Sequence, residues 1–161
     1  IFPRDRMLEY GAELHIILSP YKNNLQAKCK YGIPINHSHL AKECINNNYD
    51  LVIIPGGFGT EIVRMDMDAI EIVRKAYINN KTIAAICHGP QVLLSLKRIY
   101  PHPNDSFPFG MPMTSYIGIR DDIINAGYEY IDEPVVRSGR LVTANHYDAN
   151  PLFMKTILEQ F

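Results

Sequence analysis

The chain has 161 residues, of which 47% are apolar and 20% are charged, and its formal net charge is −1. This length and composition suit one compact domain and exclude a disordered segment, a collagen-like repeat and a disulfide-stapled miniprotein. The near-neutral charge contains no basic block, which disfavours a nucleic-acid-binding protein and a membrane-surface protein.

The cysteine content indicates a reducing compartment. The chain has an odd number of cysteines, namely Cys29, Cys44 and Cys87, and none of them belongs to a C-x-x-C pair. We therefore expect free thiols and a cytoplasmic protein rather than a disulfide framework. No apolar run approaches the roughly 20 residues of a membrane span, and the charged N-terminal segment does not fit a signal peptide.

The first part of the chain predicts short elements separated by turn residues. In chain order these are a helix over 4–10 ending at Gly11, a buried strand over 14–18, a polar loop through 23–24, an extended piece over 33–35, a helix over 39–46 capped by Ser38, and a strand over 51–54. The last of these is a continuous apolar run, as expected of a strand covered on both faces.

The second part continues the alternation of helix and strand. It predicts a helix starting at Asp66 or Asp68, a buried strand over 82–86, a helix with Pro90 as its first residue, a proline-rich loop over 100–113, a helix over 121–125 ending at Ala126-Gly127, a hairpin of 135–136 and 141–143 around Ser138-Gly139, and a helix over 149–160. This order favours an α/β domain with a mainly parallel sheet and helices on both faces. Chemistry in such domains collects at the carboxyl ends of the strands.

Cys87 stands at such a strand end. A nucleophile on a tight strand-to-helix turn requires small residues two positions before and after it, and Ala85 and Gly89 meet that requirement. The turn would also aim a helix N-terminus at the sulfur, which favours a thiolate. The spacing alone leaves two interpretations open, a nucleophile and a buried structural cysteine.

The turn Pro55-Gly56-Gly57 ends the preceding strand. Its glycines would let backbone N–H groups approach a ligand, so it is a candidate oxyanion hole beside Cys87. Most glycine-rich turns are only loops, and this one matches no phosphate- or dinucleotide-binding pattern.

Several segments together resemble a known family. The segments YDLVIIPGG from Tyr49, AAICHGPQ from Ala84, TSY from Thr114 and DDIINAG from Asp121 are similar to those of the PfpI-type intracellular cysteine proteases, in the superfamily of the Parkinson-associated deglycase. The resemblance covers nearly the whole chain and implies a flavodoxin-like, doubly wound, three-layer α/β/α fold over a single domain, 1–161. It also implies that the family's first strand, with a glutamate that hydrogen-bonds the thiolate, precedes Ile1.

The same resemblance implies a site. It assigns Cys87 as the nucleophile, His88 as its base, and Glu61 as a carboxylate that reaches the histidine of an adjacent subunit in a homo-oligomer. Gly56 and Gly57 with the His88 N–H correspond to the oxyanion-hole region, and Tyr116 to a pocket tyrosine. Taken without the resemblance, Glu61 is a solvated carboxylate at a helix start. The implied enzyme needs no cofactor.

The sequence contains two other histidine patterns that are candidate functional sites. Cys87 to Gln91 also resembles the elbow of class I glutamine amidotransferases, so Cys87, His146 and Asp148 form an alternative hydrolytic triad. His37-x-His39 would put two rings on one face of a strand, but no third ligand is apparent along the sequence, and no metal site is predicted. His15 is expected to be a core residue.

The sequence therefore predicts a cytoplasmic, cysteine-dependent hydrolase that acts on peptides, or on methylglyoxal and its protein adducts, as a protease, glyoxalase or deglycase. Each of these reactions begins with a thiolate attacking a carbonyl carbon. A non-catalytic stress protein is the alternative from another class, with Cys87 as an oxidant sensor or the fold as a chaperone.

Overall fold

The computed structural model describes residues 2–20, 25–29, 32–100 and 110–161. Its helices and strands, numbered in chain order, are α1 (Phe2–Glu9), β1 (Ile17–Leu18), β2 (Ala27–Lys28), β3 (Pro34–Ile35), β4 (His39–Leu40), α2 (Ala41–Cys44), β5 (Leu51–Ile54), α3 (Thr60–Val63), α4 (Met67–Ile78), β6 (Thr82–Ile86), α5 (Pro90–Ile99), β7 (Pro112–Met113), α6 (Arg120–Asn125), β8 (Glu129–Tyr130), β9 (Val135–Ser138), β10 (Leu141–Ala144) and α7 (Asn150–Leu158).

The principal sheet has four strands in the order β5-β6-β10-β9. β5 and β10 both run parallel to β6, and β9 is antiparallel to β10. Three further pairs, β1 with β4, β2 with β3, and β7 with β8, form two-residue sheets. The parallel strands end at one edge, where Ile54 lies beside Ala85 and Ala144 lies beside Ile86.

Successive residues of β6 face opposite layers of helices. Ile83 and Ala85 pack in the cluster that contains buried residues of α4 and α5. Ala84 and Ile86 pack in a second cluster with Met7 of α1 and residues of α7. All five residues of β6 are buried, because a strand between two helical layers has no solvent face. This confirms the predicted three-layer α/β/α architecture with a mainly parallel sheet.

Several predicted elements are found with their predicted boundaries. β5 and β6 span the residues expected, and Pro90 is the first residue of α5. The α4 N-cap is Asp66, whose carboxylate accepts the Asp68 N–H at 3.0 Å. Gly139, in the predicted hairpin turn, has φ 60°, a conformation that glycine adopts without a Cβ clash.

The predicted strand 14–18 and helix 39–46 are corrected. The strand is confined to Ile17–Leu18 and is only half-buried, because it pairs with β4 alone among the described residues. Residues 39–40 form that partner strand, and the helix is limited to Ala41–Cys44. Ser38 does not cap it, since its hydroxyl accepts the Ile16 N–H instead at 2.9 Å.

The proline-rich region 100–113 is not wholly irregular. Pro112–Met113 is a strand parallel to β8, and residues 101–109 lie outside the described residues. The polar loop predicted through 23–24 also lies outside them. Helix ends differ by one to two residues: α1 begins at Phe2, α6 at Arg120 after a 3₁₀ turn, and α7 spans Asn150–Leu158.

Two parallel strands carry an unpaired edge. Within the described ranges, β5 pairs only with β6 and β1 pairs only with β4. Residues of both, Val52 and Ile17, nonetheless contact one apolar cluster, which is built around α2 and α4.

Every helix in the described part of the chain is too short or too polar to cross a bilayer.

Candidate active site

Cys87 lies on a constrained turn between β6 and α5. Its φ is 61°, and outside glycine this left-handed conformation is uncommon and strained. The Cys87 N–H donates to the Ala144 carbonyl at 2.8 Å, and the Cys87 carbonyl accepts the Tyr116 N–H at 2.9 Å. Hydrogen bonds from two neighbouring segments thus hold the turn in place, and the half-buried side chain stands at the carboxyl edge of the sheet.

Only glycine fits at position 89, for steric reasons, as the pattern of small residues around Cys87 predicted. A Cβ built on Gly89 would lie 2.6 Å from the Ile54 carbonyl oxygen and 2.9 Å from the Ile86 nitrogen. These are backbone atoms of the two adjacent strands and cannot move independently of the sheet. On the other side of the turn, Ala85 is completely buried, where a larger side chain would collide with its neighbours.

The Gly56-Gly57 turn abuts the Cys87 side chain. A Cβ on Gly56 would lie 2.6 Å from Cys87 Cβ and 3.3 Å from Cys87 Sγ. Gly57 has φ 87°, and its carbonyl accepts the Thr60 hydroxyl at 2.8 Å. The N–H groups of Gly57 and His88 donate to no other described residue. Two backbone donors near the sulfur are therefore available to an external oxygen.

The His88 ring contacts two other aromatic rings. Its imidazole stacks on Tyr116, with centroids 4.9 Å apart and planes 28° apart, and contacts Phe58 with centroids 5.7 Å apart. Phe58 is 84% exposed and Tyr116 40%, so both aromatic side chains are accessible to solvent. The sequence-predicted Tyr116 is thus beside His88, whereas Phe58 was missed; an aromatic residue between glycines after a strand end was its available signal.

Glu61 is not in contact with His88 within one chain. Its carboxylate is exposed on the first turn of α3, and it forms no hydrogen bond or ion pair with the described residues. Likewise, the described residues show no hydrogen bond between the His88 imidazole and Cys87 Sγ. A single chain therefore brings Cys87, Gly56, Gly57, His88 and Tyr116 together, and among the described residues Glu61 has no hydrogen-bond or ion-pair partner.

The histidine and the carboxylate of the alternative triad, His146 and Asp148, are in hydrogen-bonding contact. His146 Nδ1 lies 3.0 Å from Asp148 Oδ2, and the imidazole contacts Tyr147. His146 follows Ala144, whose carbonyl accepts the Cys87 N–H, so the pair belongs to the same edge of the sheet. An imidazole oriented by a carboxylate is the usual partner of a nucleophile.

A histidine cluster elsewhere in the fold was also not predicted from the sequence. His15 was expected to be a core residue, and the spacing of His37 and His39 predicted no metal site, but the His15 and His39 rings stack at 4.1 Å. Cys44 is buried beside them. Since these residues lie in separate elements, the sequence offered no spacing pattern that joins them.

Comparisons with known proteins agree with this architecture. A model of the DJ-1/PfpI family matches residues 1–160. "Deglycase PfpI" of Pyrococcus furiosus is 39% identical over 147 residues, covering 91% of this chain and 81% of that protein. "Putative cysteine protease YraA" of Bacillus subtilis is 34% identical over 119 residues, covering 74% of this chain and 65% of that protein.

The fold is also found in solved structures. A two-domain protein of Anabaena variabilis, with DJ-1/ThiJ/PfpI-like and ferritin-like domains, superposes with a TM-score of 0.86 at 30% identity. The superposition covers 99% of this chain and 43% of that longer chain.

Proposed function

The chain belongs to the DJ-1/PfpI family, and on that premise we propose that it is a cysteine-dependent hydrolase that converts methylglyoxal and its protein adducts to lactate through Cys87. Relatives named as deglycases and as a cysteine protease support a deglycase or protease in general. The narrower choice of an α-oxoaldehyde rests on the deglycases, which are 34–39% identical to this chain.

The first chemical step is attack by the Cys87 thiolate on the aldehyde carbon. A carbon–sulfur bond forms, and the carbonyl electron pair moves to oxygen. The N–H groups of Gly57 and His88, which have no other acceptor among the described residues, support a hydrogen-bonding role toward that oxygen. Protonation of the oxygen gives a hemithioacetal.

Later steps move two protons and add one water. The hydrogen on the hemithioacetal carbon leaves as a proton and is added to the adjacent ketone carbon, while the hydroxyl proton of the hemithioacetal leaves its oxygen and the former ketone oxygen gains a proton. These two transfers turn the adduct into a lactyl thioester. Water then cleaves the thioester, releasing lactate and the Cys87 thiol. His88, next to Cys87 and half-buried, is the proposed carrier of these protons. One molecule of methylglyoxal and one of water together contain the atoms of one molecule of lactic acid, so the reaction requires no external oxidant, reductant or cofactor.

Glu61 is proposed to act across a subunit interface. The carboxylate is exposed and unpartnered among the described residues of one chain, so it is free to reach the His88 of a second copy. A carboxylate there would hold the imidazole in place and stabilise its protonated form. The proposed active unit is therefore at least a homodimer.

The strained backbone of Cys87 is the observation that carries the proposal. A φ of 61° at a cysteine directly beyond a buried strand has no packing benefit in itself, and strain of this kind concentrates at functional sites. The test is lactate formation from methylglyoxal by the unmodified protein and by Cys87→Ser. Cys29→Ser is the matched control, since Cys29 is also a free, partly exposed cysteine.

We expect Cys87→Ser to lower kcat/KM by at least about a thousandfold and Cys29→Ser to leave it unchanged. Lactate formation that survives in Cys87→Ser would refute Cys87 as the nucleophile. If the unmodified protein makes no lactate, the glyoxalase assignment fails, and Cys87-dependent peptide cleavage becomes the next assay. Suppression of protein aggregation that does not depend on Cys87 would instead identify a chaperone.

A second candidate function is an amidase with Cys87, His146 and Asp148 as its triad. The 3.0 Å contact between His146 Nδ1 and Asp148 Oδ2 favours it, because that carboxylate orients the imidazole. The two candidates differ in which histidine is essential. Under the main proposal, His88→Ala abolishes turnover and His146→Ala retains it. If the chain is an amidase, His146→Ala abolishes turnover and His88→Ala retains it.

A further inference from the structure

A cluster of two histidines and a cysteine lies apart from the proposed active site. One potential ligand atom from each of His15, His39 and Cys44 lies within 4.8 Å of the other two. Cys44 is fully buried, whereas both histidines are half-buried. The proposed reaction uses none of these side chains.

Three separate elements bring these side chains together. His39 is the first residue of β4 and pairs with Ile17 of β1, and His15 lies two residues before Ile17. Cys44 is the last residue of α2, which follows β4 directly. The imidazole planes are 26° apart with centroids at 4.1 Å. The two rings therefore lie against each other, and imidazole nitrogen is the commonest metal ligand in proteins.

Both imidazoles are already oriented by hydroxyl groups. His15 Nδ1 lies 2.9 Å from the Tyr49 hydroxyl, and His39 Nδ1 lies 2.8 Å from the Ser38 hydroxyl. Metal-binding histidines characteristically use one ring nitrogen for such a hydrogen bond and the other for the metal. Neither Nε2 makes a hydrogen bond with a described residue; the Glu13 carboxylate lies 3.6 Å from His15 Nε2.

We propose that His15, His39 and Cys44 form a binding site for Zn²⁺, with water as the fourth ligand. Imidazole nitrogen and thiolate sulfur are the ligands that Zn²⁺ prefers. In a tetrahedral site with one Zn–S and two Zn–N bonds of the usual length, neighbouring ligand atoms are about 3.3–3.6 Å apart. Because the three ligand atoms lie within 4.8 Å of one another, they need to approach by at most about 1.5 Å. On binding, the Cys44 S–H proton leaves to solvent and a sulfur–zinc bond forms.

The site is at the opposite edge of the fold from Cys87. Tyr49, which contacts His15, precedes β5, whereas Cys87 follows β6, and these two strands are parallel. The metal would join the segment before β1 to β4 and α2. Since β1 and β4 pair over only two residues, such a link would stabilise a weakly paired part of the fold. Its role is thus structural and independent of the proposed reaction.

The test uses a protein in which Cys44 is the single cysteine, made by Cys29→Ser and Cys87→Ser. Zinc retained after dialysis is counted by elemental analysis, and Co²⁺ is used as a spectroscopic substitute. We expect one Zn²⁺ per chain and a sulfur-to-cobalt charge-transfer band, which in this protein can come only from Cys44. Zinc should also raise Tm, since it binds the folded chain preferentially.

Replacement of the histidines identifies the ligands. In this background, His15→Asn and His39→Asn should each lower zinc affinity at least about tenfold, and His37→Asn, two residues from His39, is the matched control and should not. The absence of stoichiometric zinc, the absence of the cobalt–sulfur band, or equal losses in His37→Asn and His39→Asn would overturn the proposal. If a histidine variant does not fold, Tyr49→Phe, which keeps the His15 ring but removes its hydroxyl partner, should lower zinc affinity about tenfold. Unchanged affinity there would count against the site.

Discussion

At the scale of single residues, the site depends on two glycines that have no side chain. Because Gly56 and Gly89 lack a Cβ, the ends of β5 and β6 and the Cys87 turn can approach one another closely. Around Gly56 the nearest atoms belong to Cys87 itself and to the Ile86 carbonyl, which lies 2.8 Å from the position of a Cβ. A glycine is therefore part of the nucleophile's immediate surroundings.

Gly56→Ala should impair the site directly. The added Cβ would be 2.6 Å from Cys87 Cβ, so either the Cys87 turn or the Gly56 backbone must shift. We expect a loss of about 1–3 kcal/mol in the free energy of unfolding, typical of an overpacked position, and at least a tenfold fall in kcat/KM. Urea unfolding and the lactate assay measure the two quantities.

Gly59→Ala is the matched control for this substitution. Gly59 belongs to the same turn, but a Cβ there would meet no atom of the described residues within 4 Å, and its φ is −60°. Both stability and turnover should remain close to those of the parent. Equal effects of the two substitutions would show that the close approach of Gly56 to Cys87 is not what matters.

At the scale of elements, a polar cluster connects α4 to the end of α5, the helix that begins just after the Cys87 turn. Arg74 donates two hydrogen bonds to the Glu71 carboxylate, at 2.7 and 2.8 Å, and the Tyr100 hydroxyl donates to the same carboxylate at 3.0 Å. The Arg74 guanidinium also lies over the Tyr100 ring, 5.1 Å from its centroid. Tyr100 is the C-cap residue directly after α5, so this cluster anchors the end of the helix.

This cluster predicts a pH-dependent contribution to stability. The Arg74 hydrogen bonds, together with that of Tyr100, hold the pKa of Glu71 below its usual value, although partial burial opposes them. A carboxyl group whose pKa is lower in the folded state stabilises the fold above its unfolded pKa. That contribution is lost as the pH falls through the folded pKa.

Glu71→Gln should therefore destabilise the protein at pH 7 and have little effect at about pH 3. Because the pair is partly exposed and screened by solvent, we expect a difference of less than about 1 kcal/mol at pH 7. Urea unfolding at the two pH values measures it, with the exposed Glu129→Gln as control. A loss of the same size at both pH values would contradict an electrostatic origin.

At the scale of the whole molecule, the main observation is that the Glu61 carboxylate forms no hydrogen bond or ion pair with the described residues of its own chain. The proposed trans arrangement makes each active site a composite of two chains, so function depends on assembly. Cyclic and isologous dimers are the commonest soluble assemblies, and an exposed carboxylate at a helix start is accessible to a second copy.

Mixing two inactive variants tests this arrangement. Cys87→Ser lacks the proposed nucleophile and Glu61→Gln lacks the carboxylate, so neither homodimer has a complete site. If Glu61 acts in trans, a mixed dimer contains one intact site, and an equimolar, subunit-exchanged mixture should recover about a quarter of the parental activity. The lactate assay measures the recovery.

The double variant supplies the control for that experiment. Cys87→Ser combined with Glu61→Gln, mixed with Cys87→Ser, should give no recovery, because no chain then carries the nucleophile. Efficient subunit exchange without recovery in the first mixture would show that Glu61 acts within its own chain, and full activity of Glu61→Gln alone would show that the carboxylate is not required.

The part of the fold that the sequence predicted well is encoded over short distances. Leu51–Ile54 and Thr82–Ile86 are recognisable because a strand covered on both faces is apolar throughout, and the structure buries or half-buries every one of their residues. The helix beginning after Asp66 was recognisable because its cap and its apolar spacing are local. The small residues around Cys87 likewise reflect a steric requirement within one turn.

Predictions failed where a residue's partner is distant in the chain. Ser38 resembles a helix cap, but its hydroxyl is used by Ile16, and His39 enters a strand because β1 is available to pair with it. No local pattern contains that information, since the backbone of residues 38–40 is compatible with either state until the fold supplies a partner.

The amino-acid sequence by itself therefore determined the α/β alternation, the strand-to-helix turn at Cys87 and the family, because each depends on contiguous residues. Only the tertiary structure decided which side chains meet across segments. It placed the Phe58 and Tyr116 rings against the His88 ring, left Glu61 without a hydrogen-bond or ion-pair partner among the described residues, and brought His15 and His39 close to Cys44. The physical reason is that contacts between distant segments arise from packing of the whole chain, whereas turn geometry and periodicity arise from neighbouring residues.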